Sequence, residues 1–375
     1  MKNCFGLASS IIMVMLSAPA CSPGPEVGEE DLAPAAVVRD VSLSFQGVEP
    51  QGVEPQGVEP QGVEPQGVEP QGVEPQGVEP QGPDMKGYLL QSFKNASGAI
   101  TSVTLSGTVF NGVSNGGSAI SGAAFIGASM TAVRQNGTAL TMRIDDIQPT
   151  ADPEINLYQL SYYDGSQWKN PCGASNGSPV LALPLAGRWD YSAGTPTGGD
   201  FIADPAMFTF SCRTGVLAKC ALIGYKPWAS FQECDGSSCH VLPGRAYHQA
   251  CTRMYRADYC GNGRPHTTNG TLINIYDNVG VQFDESTAMT LEAEWTPDGA
   301  KCVKHLRWTT GGQAVMDAAQ ADIDANCTDI DSYNARSACG TPGSTFTTAG
   351  GYTTPVAQRS LIRNESNEPP PGTPN

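Results

Sequence analysis

The placement of twelve cysteines constrains this chain more than any other feature of its sequence. Cys4 and Cys21 lie near the amino terminus, and no other cysteine occurs before Cys172. Ten cysteines crowd into one later region, at Cys172, Cys212, Cys220, Cys234, Cys239, Cys251, Cys260, Cys302, Cys327 and Cys339. An even number of clustered cysteines is typical of a disulfide framework in an exported protein. We therefore predict that all ten form disulfides in an oxidising compartment.

The spacing of the cysteines excludes one pairing and favours another. Cys251 and Cys260 are nine residues apart, a separation that corresponds to ~13.5 Å along the axis of a continuous helix. A disulfide requires Cα atoms within ~7 Å, so each of these cysteines must join the helix to another segment. Cys234 and Cys239 are near enough in sequence to close a small loop. The remaining connectivity stays open at this stage.

Metal binding is the alternative use of clustered cysteines. Structural zinc sites typically contain a C-x₂-C pair, and this sequence has none. The run from Asp322 to Asn326 begins like a calcium-binding EF-hand loop, but Cys327 and Tyr333 stand where glycine and glutamate are expected. We therefore predict no metal site and no cofactor.

The amino-terminal segment has the organisation of a secretory signal peptide. Lys2 precedes a short apolar stretch, and small residues follow up to Ala20. Ala18–Cys21 resembles the lipobox of bacterial lipoproteins, although that family prefers leucine at the first position. Lipidation of Cys21 also leaves ten cysteines, which can all pair. We predict a signal peptide over 1–20, a lipid anchor on Cys21 and, from Ser22, sorting to the outer membrane or cell surface.

Residues 21–85 are predicted to be a disordered spacer that carries the lipid anchor at its start. From Gln46 to Pro80 the pentapeptide Gln-Gly-Val-Glu-Pro repeats seven times. Its proline and glycine interrupt helices and central strands, and one valine per repeat buries too little area to offset chain entropy. This segment holds most of the net charge of −16, so the rest is only mildly acidic. Nucleic-acid binding is not expected, because it usually requires a basic face.

Residues 86–363 are predicted to form a disulfide-stapled, β-rich α+β fold with antiparallel sheets, two or so helices and a sub-boundary near residue 170. Strands are predicted at 101–110, 157–163, 180–185, 208–212, 271–276, 290–295 and 303–308. A hairpin around Asn136-Gly137 should place Val133 opposite Leu140 and Thr131 opposite Met142. Helices are predicted at 245–259 and 314–327, and residues 364–375 are predicted to be a disordered tail.

Histidines are the usual candidates for proton transfer near neutral pH, and the chain has four. His248 lies in the predicted helix, Asp258 lies ten residues further on, and His266 follows a glycine-rich stop that could fold back. These three are therefore candidate catalytic residues of a hydrolase. The favoured alternative is that His248 packs inside the domain and Asp258 pairs with a nearby arginine. No Gly-x-Ser-x-Gly motif occurs, and a non-enzymatic role is favoured.

The segment around this helix resembles a known family. The sequence His248-Gln-Ala-Cys-Thr-Arg-Met-Tyr-Arg-Ala-Asp-Tyr-Cys260 is followed by Gly-Asn-Gly, then by His266-Thr and Asn269-Gly-Thr. This pattern is similar to the ADYC-domain family of exported bacterial proteins, which is named for the four residues 257–260. The likeness extends over residues 105–310. It implies export but no particular activity, because the family has none assigned.

The five tryptophans make carbohydrate binding a further possible function. Indole rings either fill a core or form an exposed platform for sugars. Core burial is favoured, because such rings bury a large area. The leading hypothesis is a cell-envelope lipoprotein that displays a binding or structural domain. Its partners would be the membrane, through the lipid, and an extracellular polysaccharide or protein. The alternatives are an exported hydrolase, a carbohydrate-binding module, and a periplasmic or secreted protein without an anchor.

Overall fold

Alternation of apolar residues organises most of the folded part into strands. The computed structural model describes residues 37–38, 41–46, 70–72, 88–134, 139–204, 207–235, 238–283, 289–328, 330, 339 and 359–370. Within these residues, three α-helices accompany several antiparallel sheets, which confirms the predicted β-rich α+β fold.

The largest sheet contains twelve strands. They are Val37–Val38, Val41–Gln46, Tyr88–Asn95, Gly98–Ser106, Val109–Val113, Ala119–Ser121, Ser129–Arg134, Ala139–Pro149, Asn156–Tyr163, Trp168–Lys169, Ala182–Ala186 and Met207–Cys212. Val41–Gln46 runs parallel to Met207–Cys212 and antiparallel to Tyr88–Asn95. It thereby closes a ring of seven hydrogen-bonded strands, and the strands from Gly98–Ser106 to Ala119–Ser121 continue the order beyond Tyr88–Asn95.

An aromatic core fills the space enclosed by this sheet. The Phe110 ring lies 5.3 Å from the Phe208 ring, 5.4 Å from Tyr158, 5.5 Å from Phe93 and 5.6 Å from Phe125, centroid to centroid. Tilted and edge-on pairs of this kind stabilise a core beyond the area that they bury. Burial raises the pKa of Tyr158 to about 12, so the ring stays neutral.

A second sheet holds the carboxy-terminal part of the fold. Its five strands lie in the order Gly299–Val303, Thr290–Thr296, Ile362–Ser366, Thr271–Asp277 and Pro70–Gly72. The last described strand, Ile362–Ser366, is thus a central strand, paired on both sides. Its last three residues lie past residue 363, where the tail is predicted to begin.

Three helices cover the second sheet and the junction between the sheets. They are α1 (Val216–Leu222), α2 (Gly244–Arg256) and α3 (Gln313–Asn326). The sequence predicted α2 and α3, but it did not predict α1, which is only seven residues long. Three two-stranded ribbons and one 3₁₀ turn complete the described elements: Ala174–Ser175 with Ser178–Pro179, Arg188–Trp189 with Phe201–Ile202, Ser230–Asp235 with Ser238–Pro243, and Gly122–Phe125.

Five disulfides staple the fold. They join Cys172 to Cys212, Cys220 to Cys251, Cys234 to Cys239, Cys260 to Cys327, and Cys302 to Cys339. The prediction that Cys251 and Cys260 do not pair with each other is confirmed, and the small loop between Cys234 and Cys239 is confirmed as well. Disulfides persist in oxidising compartments, so the domain is extracytoplasmic.

Two predicted strands were wrong in extent. The run 101–110 is two strands separated by a turn, because Gly107 adopts φ of +60° and the Thr108 hydroxyl donates to the Asn156 carbonyl at 3.0 Å. The strand predicted at 303–308 is instead Gly299–Val303. After Val303 the backbone leaves the ladder, and the Arg307 amide bonds a tyrosine hydroxyl instead.

The predicted hairpin exists, but its register was wrong by one residue. Met130 lies opposite Met142 and Thr131 opposite Thr141, whereas Thr131 was predicted to face Met142. A shift of one residue exchanges the two faces of a strand. The observed register places Met130 and Met142 together in the core, where both are fully buried. The turn at Asn136-Gly137 lies outside the described residues.

Three short strands, Val37–Val38, Val41–Gln46 and Pro70–Gly72, lie within the segment predicted to be a spacer. Each pairs with a strand of the two main sheets. The signal peptide and Cys21 lie outside the described residues. Across the part of the chain that the structure describes, no helix has the length and apolar character needed to cross a membrane.

Candidate functional site

The candidate site lies where helix α2 ends and the residues 257–260 begin. Ala257 adopts a left-handed conformation with φ of +49°, which stops the helix three residues before the predicted end. The Arg307 guanidinium donates to the last-turn carbonyls of Met254 at 2.8 Å and Tyr255 at 3.1 Å. A cation at a helix carboxy terminus is favourable, because the helix dipole is negative there. The four motif residues therefore begin at a capped helix end.

Asp258 is fully buried, and its carboxylate is saturated by internal donors. Oδ2 accepts from Arg253 Nη1 at 2.6 Å and from the Gly263 amide at 3.0 Å, and Oδ1 accepts from the Asn262 amide at 3.0 Å. These bonds fold the Gly-Asn-Gly turn back over the end of α2. Gly261 permits this turn, because it has φ of +63° and a Cβ there would lie 1.8 Å from the Asp298 carbonyl oxygen.

Arg253 links the motif to a second loop. Its guanidinium donates to the Gly198 carbonyl at 2.6 Å and to the Pro297 carbonyl at 3.0 Å, and it forms an ion pair with Asp200. Partial burial raises the pKa of Asp200 to about 6. Arg253 opposes this shift, and the negative charge of Asp298 and other nearby carboxylates adds to it. The Asp200 side chain is 38% exposed, so it reaches solvent beside a buried cation.

His266 and Asp322 form a separate pair on the other side of the turn. Their Nε2 and Oδ2 atoms lie 3.0 Å apart, and the carboxylate also accepts from Arg264 at 2.8 Å and from Asn262 Nδ2 at 3.1 Å. Burial raises the pKa of Asp322, but the hydrogen bonds from His266 and Asn262 outweigh it and hold the pKa below its usual value. The His266 ring stacks on Tyr259, with centroids 6.3 Å apart.

Tyr259 reaches a third buried group, an ion pair between Glu292 and Arg307. Arg307 Nε and Nη2 lie 2.9 and 3.0 Å from the two Glu292 oxygens. The Tyr259 hydroxyl donates to Glu292 at 3.1 Å and accepts from the Arg307 amide at 2.9 Å. Burial raises the pKa of Glu292, but Arg307 outweighs it, so the pKa is lowered. The pair is thus charged, buried and fully bonded.

His248 lies apart from these groups. Its Nε2 atom is 2.9 Å from the Leu217 carbonyl oxygen, and its ring packs against Trp189 at 5.7 Å. A carbonyl only accepts hydrogen bonds, so Nε2 carries the proton. Burial lowers the pKa of His248 to about 4, which keeps the ring neutral at physiological pH.

The three candidate catalytic residues therefore have different partners. Asp258 and His266 are linked indirectly. The Asn262 amide donates to Asp258, its side chain donates to Asp322, and Asp322 is the partner of His266. His248 bonds α1 instead. A catalytic role for these three residues stays a prediction.

Sequence reasoning missed two of the charged groups that organise this region, Glu292 and Arg307, and did not place Asp322 beside His266. Glu292 and Glu294 alternate with Leu291, Ala293 and Trp295, a pattern that predicts an exposed face for the two carboxylates. Arg307 stands in a run that also contains Lys304 and His305. Neither pattern indicates a buried charge, so the sequence carried no signal for this pair.

Clustered acidic side chains are the groups that could hold a hard cation. Among the described residues, no three His, Cys, Asp or Glu side chains are grouped so that they could hold a metal ion. The Asp322 carboxylate already accepts hydrogen bonds from Asn262, Arg264, His266 and Asn326.

The tryptophans are divided between core and surface. Trp189 and Trp295 are buried, whereas Trp168 is 39% exposed. Trp168 lies 5.5 Å from the ring of Tyr163, which is 42% exposed, and the Arg143 guanidinium lies 4.4 Å above the Trp168 ring. We call Arg143, Tyr163 and Trp168 the aromatic patch.

Comparison with known proteins gives one match. A family model described as the ADYC domain matches residues 122–309, which is half of the chain. No curated protein and no solved structure matches the chain significantly.

Proposed function

We propose that this chain, which belongs to the ADYC-domain family, is a lipoprotein of the bacterial cell envelope that displays a disulfide-stapled domain. One observation carries the proposal: all ten cysteines after Cys21 pair with each other. Cys21 is therefore the one cysteine of the expected mature chain without a partner, and acylation gives it a role. Two or more acyl chains would anchor the domain stably.

The buried ion pairs support a structural or binding role for the displayed domain. Asp258, Asp322 and Glu292 all use their carboxylate oxygens on internal donors. A group that acts on a substrate needs a free atom within hydrogen-bond reach of it. Networks with every member bonded instead rigidify a fold. Residues 22–36, which precede the first described strand, would hold this domain away from the membrane, because the strands Val41–Gln46 and Pro70–Gly72 attach both ends of most of the QGVEP repeat to the sheets.

Lipid labelling in a bacterial host that processes lipoproteins tests the anchor. Wild-type protein and Cys21→Ser are expressed with an alkyne-bearing fatty acid, and labelling and membrane fractionation are compared. We expect label and sedimentation with membranes for the wild type, and neither for Cys21→Ser. Cys4→Ser is the matched control and should behave as wild type, because Cys4 is removed with the signal peptide. Unlabelled wild-type protein would contradict the proposal.

A second candidate function is binding of an extracellular polysaccharide at the aromatic patch. Two exposed rings beside an arginine offer an apolar surface and a hydrogen-bond donor, which is the combination that sugar rings require. Arg143 is held there by an ion pair with Asp145. This candidate is compatible with envelope display, since a tethered binder needs an exposed surface.

Binding to a panel of soluble polysaccharides, followed by fluorescence titration, tests this candidate. Trp168→Ala should weaken binding by about tenfold or more, because an aromatic anchor carries about 1–3 kcal/mol. Phe283→Ala is the matched control, since Phe283 is 64% exposed but lies outside the patch. Equal affinity of the wild type and Trp168→Ala for every bound polysaccharide would contradict the assignment.

A further inference from the structure

One disulfide differs from the other four in its exposure. Cys234 and Cys239 are both exposed to solvent, whereas every other disulfide contains at least one buried cysteine. The bond also spans five residues of sequence, compared with 31 to 67 for the others. A short closed loop restricts the unfolded chain least, so this bond contributes least to stability by that mechanism.

The bond lies on the solvent face of a ribbon, the antiparallel pair Ser230–Asp235 and Ser238–Pro243. Cys234 is directly opposite Cys239, and the next pair on the same face is Gln232 opposite Val241, which is 67% exposed. On the inner face, Phe231 lies opposite Leu242 and Glu233 opposite His240. The sulfur atoms therefore point away from the core.

The ribbon is held in place by contacts other than the disulfide. Its strands pair from Ser230 with Pro243 to Asp235 with Ser238. Glu233 on the inner face accepts a hydrogen bond from Arg359 at 2.5 Å and from Asn278 at 3.2 Å. Cleavage of the sulfur bond would therefore leave Cys234 and Cys239 facing each other across the ribbon, ready to re-form the bond.

We propose that Cys234 and Cys239 are an exchangeable dithiol–disulfide site whose reaction partner is a thiol. A thiolate attacks Sγ of one cysteine along the sulfur–sulfur axis, a mixed disulfide forms, and the other cysteine leaves as a thiolate. A second thiolate then attacks the partner's sulfur in the mixed disulfide, the mixed sulfur–sulfur bond breaks, and the first cysteine also leaves as a thiolate. The site gains two electrons and two protons as a dithiol, and the two attacking thiols are oxidised to one disulfide. Exposed disulfides are the labile members of a protein's set.

Two sources of thiol fit this chemistry, a small molecule such as glutathione and the dithiol of an oxidoreductase. The exposed Val241 and Pro243 lie on the same face as the sulfurs and give a protein partner a small apolar surface to contact. The ribbon leads directly into helix α2, since Pro243 is the residue before its first turn. Exchange at this site would therefore occur near the amino-terminal end of α2, about 20 Å along the helix from residues 257–260.

Graded reduction of the intact, oxidised full chain tests the proposal. The protein is equilibrated with increasing glutathione, or separately with a reduced thioredoxin-type protein, then alkylated, digested and analysed by mass spectrometry. We expect alkylation of Cys234 and Cys239 at a thiol concentration about tenfold or more below that for any other pair, with unchanged circular dichroism. A lower midpoint with the protein dithiol would identify the protein as the source, and a lower midpoint with glutathione the small molecule.

Two variants keep the test decisive. Cys234→Ala leaves Cys239 free and should accumulate a mixed disulfide with oxidised glutathione, which mass spectrometry detects as one added glutathione. The double variant Cys234→Ala/Cys239→Ala should fold and melt close to wild type, because the ribbon's ladder remains. Simultaneous reduction of all five disulfides, or loss of the fold when this pair alone is reduced, would overturn the proposal.

Discussion

Replacement of Asp258 by alanine should destabilise the whole domain rather than abolish a reaction. The change removes three acceptor contacts: Arg253 at 2.6 Å and the amides of Asn262 and Gly263, both at 3.0 Å. Removing one partner of a buried ion pair costs about 3–5 kcal/mol, and each stranded amide costs about 1–3 kcal/mol. The ion pair with Asp200 compensates Arg253 in part. The lower limits of these costs sum to about 5 kcal/mol, and the compensation by Asp200 reduces this sum, so we expect a loss of about 4 kcal/mol in the free energy of unfolding.

Thermal unfolding with the disulfides intact measures this loss. For a folded part of this size, each kcal/mol lowers the melting temperature by about 2 °C, so Asp258→Ala should melt about 8 °C below wild type. Asp145→Ala is the matched control. It also removes a carboxylate paired with an arginine, but the Arg143 side chain is 39% exposed. Exposed pairs contribute about 0–1 kcal/mol, so the control should shift by about 2 °C or less.

Two results would refute this reasoning. Asp258→Ala could melt within about 2 °C of wild type, which would show that its three bonds contribute little to the folded state. Alternatively, both variants could melt equally early, which would show that burial of the pair is irrelevant. A variant with wild-type stability and a lost hydrolytic activity would instead establish Asp258 as a catalytic residue.

Three further predictions concern the same region. His248→Gln should reduce the loss of unfolding free energy at acidic pH, because the buried wild-type imidazole is neutral in the folded protein. In the wild type the contribution of His248 is complete above pH ~6.5 and is lost as the pH falls towards 4, by about 2 kcal/mol at pH 5. Urea unfolding at several pH values measures this loss. Gly261→Ala should destabilise far more than Gly270→Ala in thermal unfolding, because both have positive φ but only the first Cβ meets backbone, and equal losses would contradict this. The carboxyl carbon of Asp200 should titrate near pH 6 in NMR, and a midpoint near 4 would exclude the burial described.

Helices and strands could be predicted from the sequence where the pattern of apolar residues is local, and less well where contacts between distant residues determine the backbone. The strand at Asn156–Tyr163 and helix α3 follow from their local patterns. The run 101–110 also alternates, but Thr108 is drawn out of the ladder by a partner 48 residues away. Local periodicity carries no information about such a partner. The same limit explains why the strand Ile362–Ser366 was not predicted, since four of its five residues are polar or charged.

The candidate site illustrates the same limit at the level of chemistry. A histidine, an aspartate and a second histidine near one helix suggested proton transfer, and the residue types alone allow it. The structure assigns each a different partner, and two of those partners, Leu217 and Asp322, lie 31 and 56 residues away. Which carboxylate meets which base depends on the tertiary fold. The one pairing that sequence reasoning favoured, Asp258 with a nearby arginine, is local and is present.

The four consecutive residues 257–260 connect four parts of the fold. Ala257 ends α2 by its left-handed conformation, and Asp258 holds the following turn against Arg253. Tyr259 reaches the buried pair on the second sheet, and Cys260 is bonded to Cys327 at the end of α3. A regular helix or strand would direct these four side chains to one or two faces. Consecutive residues can reach four different elements only where the backbone is irregular, and the end of α2 supplies such a backbone here.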